Sequence, residues 1–236
     1  MVSMSSEQAA EYKRHAAELA AEMVEDGMVV GLGTGSTAAF AVAALGRRYR
    51  EGLRFVGVPT SLATEHQARE LGIPLSGFGE HERVDLTIDG ADEVQRGTLN
   101  LIKGLGGALL REKIVASASD RLVIVADESK LVDGLGEHSL LPVEVTPFGW
   151  EATARRLAEV GAHVSPRRSR AGDLFISDGG NLILDCHFEG IDDPAATELA
   201  IGSIVGVVES GLFIGMASEA VIAGPTGVAR LHVAAQ

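Results

Sequence analysis

The chain has 236 residues, of which 46% are hydrophobic, 4% are aromatic and 29 are glycine, and its formal net charge is −13. This length suffices for one large or two modest domains with a substantial buried core. The negative charge disfavours binding to nucleic acid or to an anionic membrane. The shortage of aromatic residues likewise disfavours surfaces that stack on bases.

Neither the cysteine content nor the hydropathy indicates an exported or membrane-bound protein. Cys186 is the only cysteine, so no internal disulfide can form, and its apolar neighbours predict a buried structural thiol. No run of eighteen apolar residues occurs, and the polar segment Ser5–Gln8 stands where a signal peptide would be basic. We therefore expect a cytoplasmic protein.

The first part of the sequence predicts helices that alternate with buried strands. Ser5 and Gln8 can form a capping box at the start of the first helix. Hydrophobic periodicity predicts helices over 5–26, 36–50, 61–71 and 108–118. Continuous apolar runs predict strands over 28–32, 53–58, 84–88 and 121–126. This alternation is typical of a parallel sheet covered on both faces, so we predict a doubly wound, Rossmann-like α/β domain.

After about residue 137 the order of elements becomes strand, helix, two strands, helix, strand. The predicted strands are 141–146, 162–166, 174–188 and 207–213, and the predicted helices are 150–160 and 194–204. A hairpin sequence at 178–181 interrupts the third strand. The order is typical of a ferredoxin-like fold, so we predict a small α+β domain over 138–213. Residues 214–236 are too short to form a core and are assigned, with 1–137, to the first domain.

Acidic residues follow directly on a predicted strand in the segment Asp89-Gly90-Ala91-Asp92-Glu93. Neighbouring carboxylates repel one another, and the carboxyl edge of an open α/β sheet is where ligands bind. A polar turn would explain a lone Asp-Gly pair. Three further unusual loops adjoin similar strands, however, and together they indicate an active site.

The segment Gly31-Leu32-Gly33-Thr34-Gly35-Ser36-Thr37 joins the first predicted strand to its helix. Glycines let the backbone approach an anion, hydroxyls donate hydrogen bonds, and the helix N-terminus adds about half a positive charge. A dinucleotide-binding fingerprint would need glycine in place of Ser36, and a P-loop would need a lysine. We therefore expect a small phosphate or hydroxyl-rich ligand, with a serine-capped tight turn as the alternative.

The remaining loops supply hydroxyls and lysines. Helix capping alone explains the hydroxyls of residues 60–65, so no chemistry is assigned to them. Lys103-Gly104-Leu105-Gly106-Gly107 opens the helix 108–118, and Asp127-Glu128-Ser129-Lys130 follows the strand 121–126. A lysine in such a loop can neutralise an oxyanion or hold a phosphate, although a solvated surface lysine is the alternative.

Glu112 lies within the predicted helix 108–118. Periodicity places Leu110, Ile114 and Ala118 on the core side of this helix. Glu112 is therefore predicted, from the residues alone, to be an ion-paired side chain that faces solvent.

In order and spacing these motifs resemble those of the A-type ribose-5-phosphate isomerase family, over nearly the whole chain. The resemblance implies that Glu112 is the proton-transferring base, against the periodicity. It implies that the substrate is bound by Thr34, Gly35, Ser36, Thr37, Asp89, Gly90, Ala91, Asp92, Lys103, Gly104, Leu105, Gly106 and Lys130. Leu105 departs from the family pattern, because many relatives have a second glycine there. A contact through the backbone survives that change, although the local turn can differ.

The reaction that the resemblance implies interconverts ribose 5-phosphate and ribulose 5-phosphate through an enediolate, a step of the non-oxidative pentose phosphate pathway. Glu112 would move the proton between C2 and C1, Lys103 would stabilise the oxyanion, and Asp89 or Asp92 would help to open the sugar ring. The chemistry needs no metal or organic cofactor, and the seven histidines show no metal-ligand spacing. The family also implies a homodimer or a homotetramer.

Two alternatives to the isomerase stay open at this point. An amino-sugar-phosphate deaminase or a lactonase would be expected to use a histidine at its site, and neither His66 nor His81 lies in the matched loops. A non-catalytic sugar-phosphate sensor would keep the phosphate loop without needing Lys103 or Glu112. As part of a transcription regulator it would also carry a basic DNA-binding segment, which this acidic sequence lacks.

Overall fold

The structure is a computed structural model that describes residues 5–233. Within that range lie six α-helices, Ser6–Ala21 (α1), Ala38–Arg50 (α2), Leu62–Glu70 (α3), Leu109–Ser117 (α4), Trp150–Glu159 (α5) and Pro194–Gly202 (α6). The same range contains fourteen strands, Val29–Leu32 (β1), Val56–Pro59 (β2), Leu86–Asp89 (β3), Glu93–Gln95 (β4), Leu101–Ile102 (β5), Leu122–Asp127 (β6), Leu131–Val132 (β7), Leu141–Val145 (β8), His163–Pro166 (β9), Leu182–His187 (β10), Val207–Ser210 (β11), Leu212–Phe213 (β12), Glu219–Gly224 (β13) and Gly227–His232 (β14).

The chain forms two compact units. The first comprises Met1–Ala91, Arg111–Leu131 and Met216–Gln236, and the second comprises Asp92–Leu110 and Val132–Gly215. Residues 1–4 and 234–236 lie outside the described range. The sequence interpretation assigned 92–110 to the first domain, whereas this division groups that segment with the second unit. The division into two folding domains, one of residues 1–137 with 214–236 and the other of residues 138–213, stays a prediction.

The first unit is built on a six-stranded sheet with the order β14-β13-β6-β3-β1-β2. The five strands from β13 to β2 run parallel, and β14 pairs antiparallel at one edge. The register aligns Leu32 with Ile88 and Asp89 with Ile124, so β1, β3 and β6 end at the same edge of the sheet. This confirms the predicted mostly parallel α/β architecture and brings the loops that follow β1, β3 and β6 to one edge.

Helix α1 packs closely because its buried face consists of alanines, Ala16, Ala17, Ala20 and Ala21. Its predicted capping box is present, since Ser5 Oγ accepts the Gln8 N–H at 3.2 Å and Gln8 Oε1 accepts the Ser5 N–H at 3.0 Å. The helix ends at Ala21 rather than at residue 26. The left-handed Gly27, with φ of +86°, belongs to the turn that precedes β1.

The second unit contains a four-stranded antiparallel sheet with the order β11-β8-β10-β9. With α5 between β8 and β9 and α6 between β10 and β11, this is the predicted ferredoxin-like arrangement. Its core includes Val143, Leu157, Leu184 and Cys186, so the thiol is buried as predicted. Burial raises the pKa of the Cys186 thiol to about 12, with a smaller contribution from the charge of Asp185.

Two segments of the second unit differ from the predicted strands. Residues 174–181 form a hairpin arm with isolated bridges at Leu174 and Ile176 instead of a regular strand. The predicted strand 207–213 is divided at Gly211 into β11 and β12, and β12 joins a small sheet with the order β12-β5-β4-β7 that the sequence did not predict. Within residues 5–233 no helix combines the length and the apolar character needed to cross a membrane.

Candidate active site

The loop 33–37 that follows β1 is tied to the loop that follows β3. Asp89 Oδ1 accepts the N–H of Thr34 at 2.9 Å and the N–H of Gly90 at 2.7 Å. A Cβ atom on Gly33 would collide with the carboxylate and backbone of Asp89, so only glycine allows this approach. The buried Asp89 therefore shapes the predicted phosphate loop from the neighbouring strand.

Hydroxyl groups after β2 support the same loop from its other side. Thr34 Oγ1 lies 2.7 Å from Thr60 Oγ1, 2.8 Å from Ser61 Oγ and 3.2 Å from Thr64 Oγ1. Thr64 Oγ1 also donates to the Gly33 carbonyl at 2.9 Å. Ser61 does cap α3, as predicted, by accepting the Thr64 N–H at 3.1 Å. The sequence interpretation, which gave these hydroxyls a capping role alone, missed their support of the loop.

Lys13 on α1 is a candidate site residue that sequence reasoning missed. Its Nζ donates to Ser36 Oγ at 3.1 Å, which places an ammonium group beside the predicted phosphate loop. A signal existed in the sequence, because Lys13 precedes the buried Ala16, Ala17 and Ala20 at helical spacing and so falls on the inner face of α1. A lysine on that face is uncommon unless something compensates its charge.

Lys130 lies where the sequence placed it, directly after β6. Residues Glu128–Lys130 form a 3₁₀ turn, and Asp127 Oδ1 accepts the Ser129 N–H at 3.1 Å and also its hydroxyl. Since β6 pairs with β3 and ends at the same edge of the sheet, this turn adjoins the edge that carries Asp89. Lys130 therefore belongs to the same group of loops as residues 33–37.

Glu112 is buried, with 5% of its surface exposed, so the prediction of a solvent-facing residue is wrong. The buried positions of α4 are Leu109, Glu112, Val115 and Ala116, whereas Ile114, predicted to be inside, is 47% exposed. Apolar residues occupy more than one face of this short helix, so periodicity could not fix its phase. A buried carboxylate costs desolvation energy, which marks Glu112 as a functional candidate.

The position of Glu112 along α4 follows from pairing at the other end of the helix. Ser119, just after α4, forms a bridge with Val84, just before β3. Glu112 lies seven residues earlier, about 10 Å along a helix axis. The first turn of α4 therefore lies toward the carboxyl ends of the strands, where Asp89 is found.

The second unit carries the lysine loop. Lys103 is buried, its N–H donates to the Gly211 carbonyl at 2.9 Å, and its Nζ lies 5.5 Å from the centroid of the Phe213 ring. A Cβ atom on Gly211 would collide with the Lys103 carbonyl, so only glycine allows this close approach between β11 and β12. The lysine therefore projects from a fixed backbone position.

Asp92 holds the same loop through the backbone. Its Oδ2 accepts the Leu105 N–H at 2.9 Å. Gly104, with φ of +105°, makes the left-handed turn, whereas Leu105 has no left-handed φ. Leucine therefore fits at position 105 without backbone strain. Leu105 and Gly106 are exposed.

Glu93, the last acid of the segment 89–93, has a structural role. Its buried carboxylate accepts the N–H groups of Gly136 at 2.7 Å, His138 at 2.7 Å and Ser139 at 2.6 Å. Three backbone donors satisfy its charge, so we assign it no chemistry. In the part of the chain that the structure describes, no three His, Cys, Asp or Glu side chains are grouped to hold a metal ion.

Comparison with known proteins identifies the family. A model of the family described as ribose 5-phosphate isomerase A (phosphoriboisomerase A) matches residues 56–227. The chain belongs to this family. A relative named ribose-5-phosphate isomerase A from Gluconobacter oxydans (strain 621H) is 60% identical over 218 residues, which cover 92% of this chain and 94% of the relative.

Solved structures of ribose 5-phosphate isomerases have the same fold. The enzyme from Methanocaldococcus jannaschii is 42% identical, with a TM-score of 0.90 over 94% of this chain and 98% of that chain. A D-ribose-5-phosphate isomerase in complex with phospho-erythronic acid is 39% identical, with a TM-score of 0.92 over 95% of this chain and 99% of that chain. These matches confirm the resemblance and the fold class that the sequence motifs predicted.

Proposed function

We propose that this chain is an aldose–ketose isomerase that interconverts D-ribose 5-phosphate and D-ribulose 5-phosphate through an enediolate. The observation that carries the proposal is the 60% identity, over 92% of the chain, to a relative that bears this enzyme's name. The loops that follow β1, β3 and β6 at the carboxyl edge of the sheet and the buried Glu112 support it further.

Glu112 is the proposed base. It takes the proton from C2 of the open-chain aldose and returns it to C1, so a single carboxylate on one face of the substrate serves both steps. Its burial supports this role, because partial exclusion of water slows exchange of the abstracted proton with solvent, so that part of it is returned to C1 while the rest exchanges.

Lys103 is the proposed stabiliser of the oxyanion that forms when the proton leaves C2. A cation at a buried position is less screened by water, so it stabilises a developing negative charge more than an exposed lysine would. One solved family member is described in complex with phospho-erythronic acid. The carboxylate of such an acid is planar and negatively charged, as an enediolate is, and this likeness supports the mechanism.

Ring opening is assigned to Asp92 in preference to Asp89. Asp89 is buried and its Oδ1 accepts two backbone N–H groups, so its carboxylate is committed to shaping the phosphate loop. Asp92 is only half-buried, and its Oδ2 accepts one N–H. Its second oxygen has the freedom to exchange a proton with the ring oxygen or with O1 of the sugar.

The phosphate is assigned to the loop 33–37 with its lysines. Ser36, Thr37 and the backbone at Gly35 supply neutral donors at the start of α2, where the helix dipole favours an anion. Lys13 and Lys130 supply the positive charge that a chain of net charge −13 otherwise opposes. The sequence resemblance assigns this loop and the Lys103 loop to one substrate.

The test is a direct assay of ketose formation from ribose 5-phosphate by the purified full chain. We expect turnover with ribose 5-phosphate, little with unphosphorylated ribose, and no loss after exhaustive treatment with EDTA, since a base and a lysine suffice for the chemistry. Comparable KM values for ribose and ribose 5-phosphate would exclude a phosphate site. Activity that EDTA abolishes and Mg²⁺ or Zn²⁺ restores would contradict the metal-free mechanism.

Three finer statements belong to the proposal. The reaction serves the non-oxidative pentose phosphate pathway, the protein acts in the cytoplasm, and copies of the chain associate as a homodimer or homotetramer. For association, the second unit exposes the apolar side chains of Phe148, Leu199 and Val205, with 97% of Phe148 and 93% of Val205 open to solvent. Such a group of apolar side chains is typical of a surface that binds another protein.

A further inference from the structure

The loop that follows Lys103 has an unusual backbone that needs support. Gly104 and Gly107 both have left-handed φ angles, +105° and +85°, and Leu105 and Gly106 between them are exposed. The Lys103 N–H anchors one end to the Gly211 carbonyl. The Gly104 carbonyl accepts the Gly107 N–H at 2.9 Å, which closes the turn, and a side chain from outside the loop adds further contacts.

Arg167 provides this support from just after β9. Its Nη1 donates to the Gly104 carbonyl at 2.8 Å and to the Leu105 carbonyl at 3.0 Å. On its other side, Nε donates to Asp185 Oδ2 at 3.0 Å and Nη2 donates to Asp185 Oδ1. The guanidinium also lies 5.9 Å from the centroid of the Phe175 ring. Both side chains of the ion pair are largely buried, with 11% of Arg167 and 14% of Asp185 exposed.

These hydrogen bonds fix the orientation of two consecutive peptide groups. A trans peptide is planar, so its N–H points away from its carbonyl. Holding the Gly104 carbonyl therefore directs the Leu105 N–H away from Arg167, and that N–H donates to Asp92 Oδ2 at 2.9 Å. Holding the Leu105 carbonyl directs the Gly106 N–H away from Arg167 in the same way.

We propose that Arg167, oriented by Asp185, is a positioning residue for the isomerase reaction, because it fixes the backbone of residues 103–106. This rests on the proposed function, in which Lys103 stabilises the oxyanion and the loop binds substrate. Asp185 is the rigid partner in this contact, because it lies on β10 and its backbone pairs with the strand on each side, β8 and β9. Misplacing a catalytic group by about 1 Å can cost on the order of 100-fold in rate.

A purely structural ion pair would leave the kinetics unchanged. Arg167 binds Asp185 through two of its three side-chain nitrogen atoms, Nε and Nη2, and the third, Nη1, donates to the carbonyls of the lysine loop. The neighbouring Arg168 offers a matched control, because its Nη1 also donates to a loop carbonyl, that of Gly172 at 2.7 Å. The two arginines differ in the loop that they hold.

The test compares Arg167→Ala, Arg167→Lys, Asp185→Asn and the control Arg168→Ala in the full chain. We expect Arg167→Ala to lower kcat on the order of 100-fold with KM within about threefold of the parent value. Arg167→Lys keeps the charge but loses the planar fork, and we expect a smaller loss of kcat. Added guanidinium ion, at non-denaturing concentrations, should restore part of the activity of Arg167→Ala and none to Glu112→Gln. Arg168→Ala should keep parent kinetics.

Folding is followed in each variant through Cys186, because we expect its buried thiol to react with disulfide reagents only when the second unit unfolds. If Arg167→Ala exposes the thiol and is therefore unfolded, the kcat values of Arg167→Lys and Asp185→Asn test whether Arg167 positions the loop. Folded Arg167 variants with parent kcat, or an equal loss in Arg168→Ala, overturn the proposal.

Amide hydrogen exchange separates this proposal from the proposed function. Exchange at Leu105 and Gly107, whose N–H groups donate to Asp92 Oδ2 and to the Gly104 carbonyl, should accelerate in Arg167→Lys and stay at the parent rate in Arg168→Ala, whether or not the parent isomerises ribose 5-phosphate. An inactive parent with accelerated exchange would show that the proposed function fails while the contact holds the loop. An active parent with unchanged exchange would show that Arg167 does not position the loop.

Discussion

Glu112 is the residue on which the catalytic interpretation depends most directly. Its carboxylate is buried in the first turn of α4, where a stabilising helix residue would ordinarily be apolar. We expect Glu112→Gln to lower kcat by about 10²- to 10⁴-fold, because the amide keeps the size of the side chain and removes the base. Folding and KM should stay near parent values. Exchange of the C2 proton of ribose 5-phosphate with D₂O should fall in parallel with turnover.

Glu70→Gln is the matched control, since that side chain lies in the last turn of α3 and is well exposed. It should change stability by no more than about 0.5 kcal/mol and leave turnover intact. A Glu112→Gln variant that isomerises within a few-fold of the parent would show that another group transfers the proton.

A separate prediction concerns substrate binding through Lys13, Ser36 and Lys130. Interactions with the phosphate are the same in the ground and transition states, so their loss raises KM and leaves kcat nearly unchanged. We expect Lys13→Ala, Ser36→Ala and Lys130→Ala each to raise KM for ribose 5-phosphate. Because Lys13 Nζ donates to Ser36 Oγ, the variant that combines Lys13→Ala with Ser36→Ala should raise KM by less than the product of the two single effects.

Arg14→Ala serves as the control for charge alone, because Arg14 is the next residue of α1 and lies over the Phe40 ring instead of the loop. It should leave KM close to the parent value. Equal effects of Arg14→Ala and Lys13→Ala would indicate a general charge effect and not a phosphate contact.

At the scale of the elements, strands and strand-end loops were predictable, whereas the phase of α4 was not. Strands β1, β3 and β6 are short apolar runs that end in motifs, so composition alone located them and the edge that they share. Helix α4 has apolar residues on more than one face, and its burial depends on neighbours distant in sequence. Glu112 could therefore be assigned only through the family resemblance.

The supporting contacts of the loops were also out of reach of the sequence. Thr60 and Thr64 approach Thr34 only because β2 pairs beside β1, and Arg167 reaches the Gly104 carbonyl only once the second unit has folded. Lys13 was the exception, because its position on the alanine face of α1 could have revealed it.

An ion cluster connects β13 and β14, and its contribution to the stability of the fold should depend on pH. Glu219 accepts hydrogen bonds from Arg230, including Nη2 at 3.0 Å, and lies 3.6 Å from Arg121 Nη2. The hydrogen bond from Arg230 holds the pKa of Glu219 below its usual range, and the charges of Arg230, His232 and Arg121 add to this, against the opposing effect of burial. Because the pKa of Glu219 is lower in the folded state than in the unfolded state, its charge stabilises the fold at pH values above the unfolded-state pKa. That stabilisation is lost as the pH falls through the folded-state pKa.

We therefore expect Glu219→Gln to lower Tm at pH 7, where a loss of about 1 kcal/mol corresponds to about 2–4 °C. The difference from the parent should shrink as the pH falls below the usual carboxyl range, because the parent then loses the same charge. Glu82→Gln, an exposed glutamate before β3, is the control and should track the parent at each pH. A Glu219→Gln difference that is constant from pH 7 to pH 3 would exclude a charge contribution.

At the scale of the whole molecule, the net charge of −13 disfavours an anionic substrate, so binding depends on where the few cations lie. The chain has only four lysines, and Lys13, Lys103 and Lys130 all adjoin the loops proposed to bind substrate. In the proposed phosphate site, Lys13, Lys130 and the N-terminus of α2 would supply the local positive charge that the global field opposes.

Association of copies is the last property that depends on the whole molecule. A cavity of about 980 Å³ lies against α5 and α6 of the second unit, and Phe148 and Val205 are among its lining residues. Burying two such exposed side chains against a second copy would stabilise association by about 1.5–3 kcal/mol for each. We expect light scattering to give the parent a mass of two or four chains, and Phe148→Asp to shift it toward one chain. Val228→Asp, on the exposed edge strand β14 of the first unit, should leave the mass unchanged. If Val228→Asp alone separates the copies, the edge strand is the interface and the apolar face of the second unit is not.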